Sequence, residues 1–155
     1  MKKYLVIITL SLFYLNAFSQ HTGATPWSNC FGTNASCGYV GCSDVVVKAS
    51  SSSSVVVIIK KRGKVLKHAY VSAGDVHTIE IPDGSYQAFF YYGEHWNNYK
   101  RMPSDECGHL YGGFERGEYV TKDSFSVYGQ ALTYTLYQVV NGNHQNAPSS
   151  LEEAF

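Results

Sequence analysis

The chain reads as all-β: an antiparallel β-sandwich of seven or eight short strands, with a small barrel as second choice, behind an N-terminal coil pinned by disulfides. Three observations lead there. Short runs dense in Val, Ile, Phe and Tyr recur, with turn residues every eight to twelve positions or so. No stretch of useful length beyond the first twenty residues carries a helical period, which sets aside doubly wound α/β folds. Aromatic residues are 15% of the 155 positions and charged residues only 15%, a balance suited to a packed core and unlike that of a disordered chain. Twelve lysines and arginines against twelve acids leave no positive field to gather phosphates, so a general nucleic-acid binder is set aside too.

The start of the chain bears on compartment. Met1-Lys2-Lys3 is basic, Tyr4 to Leu15 is almost continuously apolar, and Asn16-Ala17-Phe18-Ser19 supplies small residues before a cut. This is the three-part pattern of a secretory signal peptide over residues 1–19. A membrane-spanning helix wants about 20 apolar residues, more than the run provides. Cleavage after Ser19 makes Gln20 the new terminus, removes two lysines and leaves a net charge of −2. No cysteine follows the cut directly, which argues against a lipid anchor there. The expected destination is the periplasm, the outer surface or the medium.

Cysteines stand at 30, 37, 42 and 107. An even count in an exported chain predicts disulfides, and each of the three possible pairings joins Cys107 to one of Cys30, Cys37 and Cys42. Cys42 is the expected partner, being closest to the first strand. A zinc site from these cysteines with His109 would need tighter paired spacings than the chain offers. Residues 20–43, rich in Gly, Ser, Asn and Thr, read as a coil with too little apolar content to dock by burial, so covalent ties are expected to hold it against a 44–155 sandwich domain.

Within that domain, Asp44–Ala49 and Ser54–Lys60 are β-branched runs on either side of a serine tract, read as the tip of a hairpin. Val65–Val71 and Val76–Ile81 flank Ser72-Ala73-Gly74-Asp75, read as another hairpin turn. That register sets Tyr70 opposite His77 and gathers Leu66, His68, Tyr70, His77, Ile79 and Ile81 on one core face. Pro82-Asp83-Gly84 turns into a strand at Ser85–Tyr92, closed by Gly93. A loop from Glu94 to Gly108 follows, then short strands near Gly112–Val120 and Phe125–Tyr128. A strong strand at Ala131–Val140 ends on Asn141-Gly142. Ser149 or Ser150 is placed to cap a last turn through Phe155.

The segment Ile81-Pro82-Asp83-Gly84-Ser85-Tyr86-Gln87-Ala88-Phe89-Phe90-Tyr91-Tyr92-Gly93, followed by Trp96, resembles one found in a family of uncharacterised exported bacterial β-domain proteins. Gly112-Gly113-Phe114, Lys122-Asp123, Asn141-Gly142-Asn143, Pro148-Ser149 and the ending Glu153-Ala154-Phe155 are similar to further parts of that pattern. The resemblance covers about residues 44 to 155 and leaves out the cysteine-bearing start. It implies a shared β-domain with no activity and no cofactor attached to it.

Few residues suggest chemistry. His68 and His77 would be cross-strand neighbours, but a metal wants three or four converging ligands, so they read as satisfied histidines at the rim of the core and no metal is expected. Cys107-Gly108-His109 could pair a thiol with a base, yet an exported Cys107 is a bridge partner first. Asp105-Glu106 and Glu115 with Glu118 are acids with nothing to set their protonation apart. No Gly-x-Ser-x-Gly, His-Glu-x-x-His or phosphate-cradling loop is present, so no catalytic residue is expected. The aromatic loop is the most suggestive feature. Trp96 and Tyr99 sit among Asn97, Asn98, Lys100 and Arg101, with Tyr92 just before Gly93. Flat rings beside amide and basic groups suit a noncatalytic binding or adhesion module that recognises a glycan or an envelope protein. The competing reading is a structural or accessory envelope domain in which Trp96 folds back to plug the open end of the sandwich.

Overall fold

A computed structural model describes residues 20–38, 41–104, 107–137 and 147–155. The signal-peptide segment, Asp105-Glu106, the end of the Ala131–Val140 run and its Asn141-Gly142 stop lie outside them. Eight strands are seen: β1 (Cys42–Lys48), β2 (Ser54–Lys61), β3 (Lys64–Val71), β4 (Val76–Pro82), β5 (Gly84–Met102), β6 (Leu110–Val127), β7 (Ala131–Thr135) and β8 (Ala147–Ser149). Two single-turn helices, α1 (Ser28–Phe31) and α2 (Leu151–Ala154), flank them. A three-stranded sheet, β4-β1-β7, faces a five-stranded sheet, β3-β2-β5-β6-β8. All pairings are antiparallel except β1 with β7. The sandwich expected from the strand rhythm is therefore present.

Two turns differ from expectation. The serine tract does not join paired strands: β1 pairs with β4 and β7, whereas β2 pairs with β3 and β5. Ser72 to Asp75 likewise carries the chain from β3 in one sheet to β4 in the other. Both are arches between sheets. The tight hairpin is elsewhere, at Arg62-Gly63, where Lys61 opposes Lys64 and both turn residues have positive φ (52° and 79°). That geometry is the type I′ turn, whose twist matches paired strands. Because β3 and β4 lie in different sheets, His68 and His77 are not neighbours. Ile79 and Ile81 enter the core between the sheets, while Tyr70 points to the other side of its sheet and Leu66 is exposed.

The continuous apolar runs in β2 and β5 have a structural cause, since the five-stranded sheet is covered on both faces. Val55, Val57, Ile59, Ala88, Phe90 and Tyr92 point into the core between the sheets, against Val45, Val47, Ile79 and Ile81. Val56, Ile58, Phe89 and Tyr91 point the opposite way, into a second cluster closed by Trp27, Ala154 and Phe155. A strand buried on both sides loses its polar alternation.

The covering layer corrects the picture of a coil held only by bridges. Trp27 is fully buried, its ring edge-on to Phe155 at 4.7 Å and beside Tyr91 at 6.4 Å. Its backbone N–H donates to His68 Nε2 (3.1 Å) and its indole N–H to the Gly112 carbonyl (3.0 Å). The Gly23 N–H donates to Tyr70 O and the Tyr70 N–H to Ala24 O, both at 2.8 Å. The Asn34 amide exchanges two bonds with the backbone of His68. These contacts satisfy the open edge of β3, which would otherwise offer its backbone groups to another chain. Burial and hydrogen bonding dock this segment, and the disulfide adds to them. The bridges are Cys30–Cys107 and Cys37–Cys42. Two bridges were expected, but the partner of Cys107 is Cys30 rather than Cys42, because Cys30 follows Trp27 onto the outer sheet face where Cys107 ends its loop. At the other terminus Ser150 caps α2, accepting from the Glu153 N–H at 3.3 Å.

Candidate functional site

The expected loop from Glu94 onward is the far half of a long hairpin. β5 runs through Met102, pairing Glu94 with Arg116, Trp96 with Phe114, Asn97 with Gly113 and Arg101 with Tyr111. Register shifts after Tyr92 and after Asn97 bend it. Close approach sets the sequence here. A Cβ on Gly93 would lie 2.3 Å from Phe114 Cβ, so glycine lets Phe114 lie against the β5 backbone. Gly112, at φ +111°, leaves room for the Trp96 indole, 2.8 Å from where its Cβ would be.

Trp96 is half-buried and turned inward. Its ring is edge-on to Tyr70 (5.6 Å) and Phe114 (5.2 Å) and tilted against Trp27 (6.0 Å). Its indole N–H donates to Asn98 Oδ1 at 2.8 Å, and the same oxygen accepts from Gln20 Nε2 at 3.0 Å. Asn98 thus serves the packing of Trp96 and of the covering segment. Tyr92 does not join this surface at all: it is buried in the core between the sheets, stacked on Tyr119 at 4.3 Å, because alternation along β5 sends it to the opposite face. Two of the six expected residues, Tyr99 and Arg101, are exposed, with the half-buried Asn97 and new neighbours beside them. Tyr99 is 88% exposed, its backbone N–H held by Asn97 Oδ1 at 2.8 Å. The Asn97 amide donates to Glu115 at 2.8 Å. Arg101 is exposed and stands in register with Tyr111, itself 47% exposed. Tyr111 is not singled out by the sequence, and Glu115 is weighed there only as a candidate acid beside Glu118. A pairing of the two halves of the supposed loop would have brought them in, but two register shifts hide that pairing from simple alternation.

Beneath this surface lies a polar nest. Tyr91 donates its hydroxyl to Glu118 and accepts from the Phe114 N–H at 2.8 Å. Lys100 donates to the Phe114 carbonyl and pairs with Glu118. Burial, and then the Glu118 carboxylate, push the Tyr91 phenol well above its ordinary range, so it stays protonated as a donor. His68 is buried rather than at a rim. Desolvation lowers its pKa to about 4, so the neutral ring accepts from Trp27.

Chemically the exposed end offers two phenol rings, a guanidinium and an amide–carboxylate pair, all suited to recognition. Cys107 has its sulfur in a bridge and Glu115 and Glu118 are held by Asn97 and by Lys100 with Tyr91. Among the described residues no three His, Cys, Asp or Glu side chains converge as for a metal, and no helix is long and apolar enough to cross a membrane. No family model matches this chain, and no curated protein or solved structure matches it either.

Proposed function

We propose that this chain is a noncatalytic exported binding module that takes a glycan on the solvent-facing end of the β5–β6 hairpin. Tyr99 and Tyr111 are the flat apolar faces for sugar rings, and Arg101, Asn97 and Glu115 are the hydrogen-bonding groups around them. The observation that carries this reading is Tyr99, a large ring at 88% exposure on a strand whose inner side is anchored by Trp96 and Phe114. A ring held out on a rigid element loses little freedom on binding. Trp96 supplies stiffness rather than contact. The bridges and the start of the chain fit export, and the resemblance to exported bacterial β-domains belongs to the same reading.

A structural envelope role is the second reading, favoured by the inward packing of Trp96. A glycan and envelope-protein binding screen on residues 20–155 separates the two. The binding reading expects a glycan hit that Tyr99→Ala with Tyr111→Ala abolishes while the thermal midpoint stays within about 3 °C, as for exposed substitutions generally. A screen without a glycan hit, or a hit indifferent to that double variant, overturns it.

A further inference from the structure

We infer that the polar groove at the opposite end of β5 is a second binding site, for an acidic sugar: an oxyanion carried on a polyhydroxyl body. The groove encloses about 430 Å³, within the size range of small-molecule sites, and lies where the β2–β3 turn, the start of β5 and the end of β6 meet. Register builds its floor. Lys60 opposes Gln87, which opposes Ser124, making one row across three strands. Ser85 opposes Ser126 in the next row on the same face, their hydroxyls 2.7 Å apart. Rows of this kind set donors about 4.8 Å apart across strands and about 7 Å apart along them, the scale of one sugar ring.

Lys60 and Arg62 line the groove and no carboxylate lines it among the described residues; the Lys61 ammonium lies over the Tyr86 ring on the other face of the sheet, and the nearby Glu153 carboxylate pairs with Lys122. One feature separates this place from an ordinary solvated sheet face. The covering layer ends here, with the Glu153 carbonyl accepting from Lys60 at 3.0 Å, so the groove has a wall as well as a floor. Arg62 projects from the type I′ turn, where its guanidinium can take an oxyanion with two donors.

The turn also supplies a clean variant. Arg62→Asn removes the charge yet creates Asn-Gly, the pair most at ease in a type I′ turn, so the hairpin is kept. The experiment is a calorimetric titration of residues 20–155 with a galacturonate trisaccharide, a sulfated dextran oligomer and mannose 6-phosphate. Galactose trisaccharide, plain dextran and inorganic phosphate serve as controls, and the three acidic ligands tell carboxylate, sulfate and phosphate sources apart. At least one acidic sugar is expected to bind saturably and to weaken with salt, at least about tenfold tighter than its neutral counterpart or inorganic phosphate. Arg62→Asn and Gln87→Ala should each weaken it by about tenfold or more. The Tyr99→Ala, Tyr111→Ala double variant should leave it unchanged, which keeps this site distinct from the hairpin end. The proposal is overturned if no acidic sugar binds, if phosphate alone binds as tightly, if Arg62→Asn and Gln87→Ala bind as wild type, or if the tyrosine double variant abolishes binding.

Discussion

Trp27→Ala should be among the most damaging single changes in this chain. The indole is fully buried and touches Tyr91, Trp96 and Phe155. Truncating a buried Trp costs about 3 to 5 kcal/mol, through lost transfer energy and a cavity that the sheet cannot collapse into. The Gly112 carbonyl, which accepts from the indole at 3.0 Å, is then left without that donor, a further 1 kcal/mol or so. Together about 5 kcal/mol should lower the thermal midpoint by about 15 °C at this chain length. The assay is thermal unfolding followed by circular dichroism, with both bridges intact. Cys30→Ser with Cys107→Ser is the companion. That bridge spans 77 residues, and the chain-entropy treatment gives about 4 kcal/mol for closing such a loop. A drop below about 5 °C for Trp27→Ala, beside a large loss in the bridge variant, would refute docking by burial. The N-terminal segment would then be held by its disulfide alone.

Two further outcomes are expected. In the folded chain His68 takes up its proton near pH 4, and in the unfolded chain near pH 6.5, so between those values the unfolded state binds more protons. Stability should thus be complete above pH 6.5 and fall by about 3 kcal/mol as pH drops to 4; urea midpoints at pH 7, 5 and 4 read the slope, and an unchanged slope in His68→Gln would contradict the assignment. Trp96→Ala should lower the midpoint by roughly 5 to 10 °C, since its ring packs on Tyr70, Phe114 and Trp27; a midpoint within about 2 °C of wild type would return Trp96 to the binding surface.

How far the site could be read in advance depends on where each residue stands. Tyr99 and Arg101 were legible because polar neighbours on both sides point to solvent. Tyr92 was not, because a Tyr before a Gly at a strand end gives no sign of which face it takes. Trp96 carried two readings, and only the rings of Tyr70, Phe114 and Trp27, distant in sequence, decide between them. The basic run Lys60-Lys61-Arg62 drew no attention as a linear feature. It becomes a groove only when β5 and β6 bring Gln87, Ser85, Ser124 and Ser126 beside it.

The amino-acid sequence by itself determined the all-β class, the positions of the main strands, the count of bridges and a serine cap, at Ser149 or Ser150, on the last turn. Each of these rests on local chemistry: β-branched and aromatic runs, turn residues, cysteine parity and a hydroxyl at a helix start. Tertiary structure decided the partners. A serine tract or an Ala-Gly turn serves equally well to reverse a strand within a sheet or to carry it across to the other sheet, and only long-range burial chooses. The same holds for Cys107, which three cysteines could reach by sequence and which finds Cys30 because Trp27 is drawn into the second cluster. Alternation tells which residues share a face, but the identity of what covers that face is settled by contacts between segments tens of residues apart.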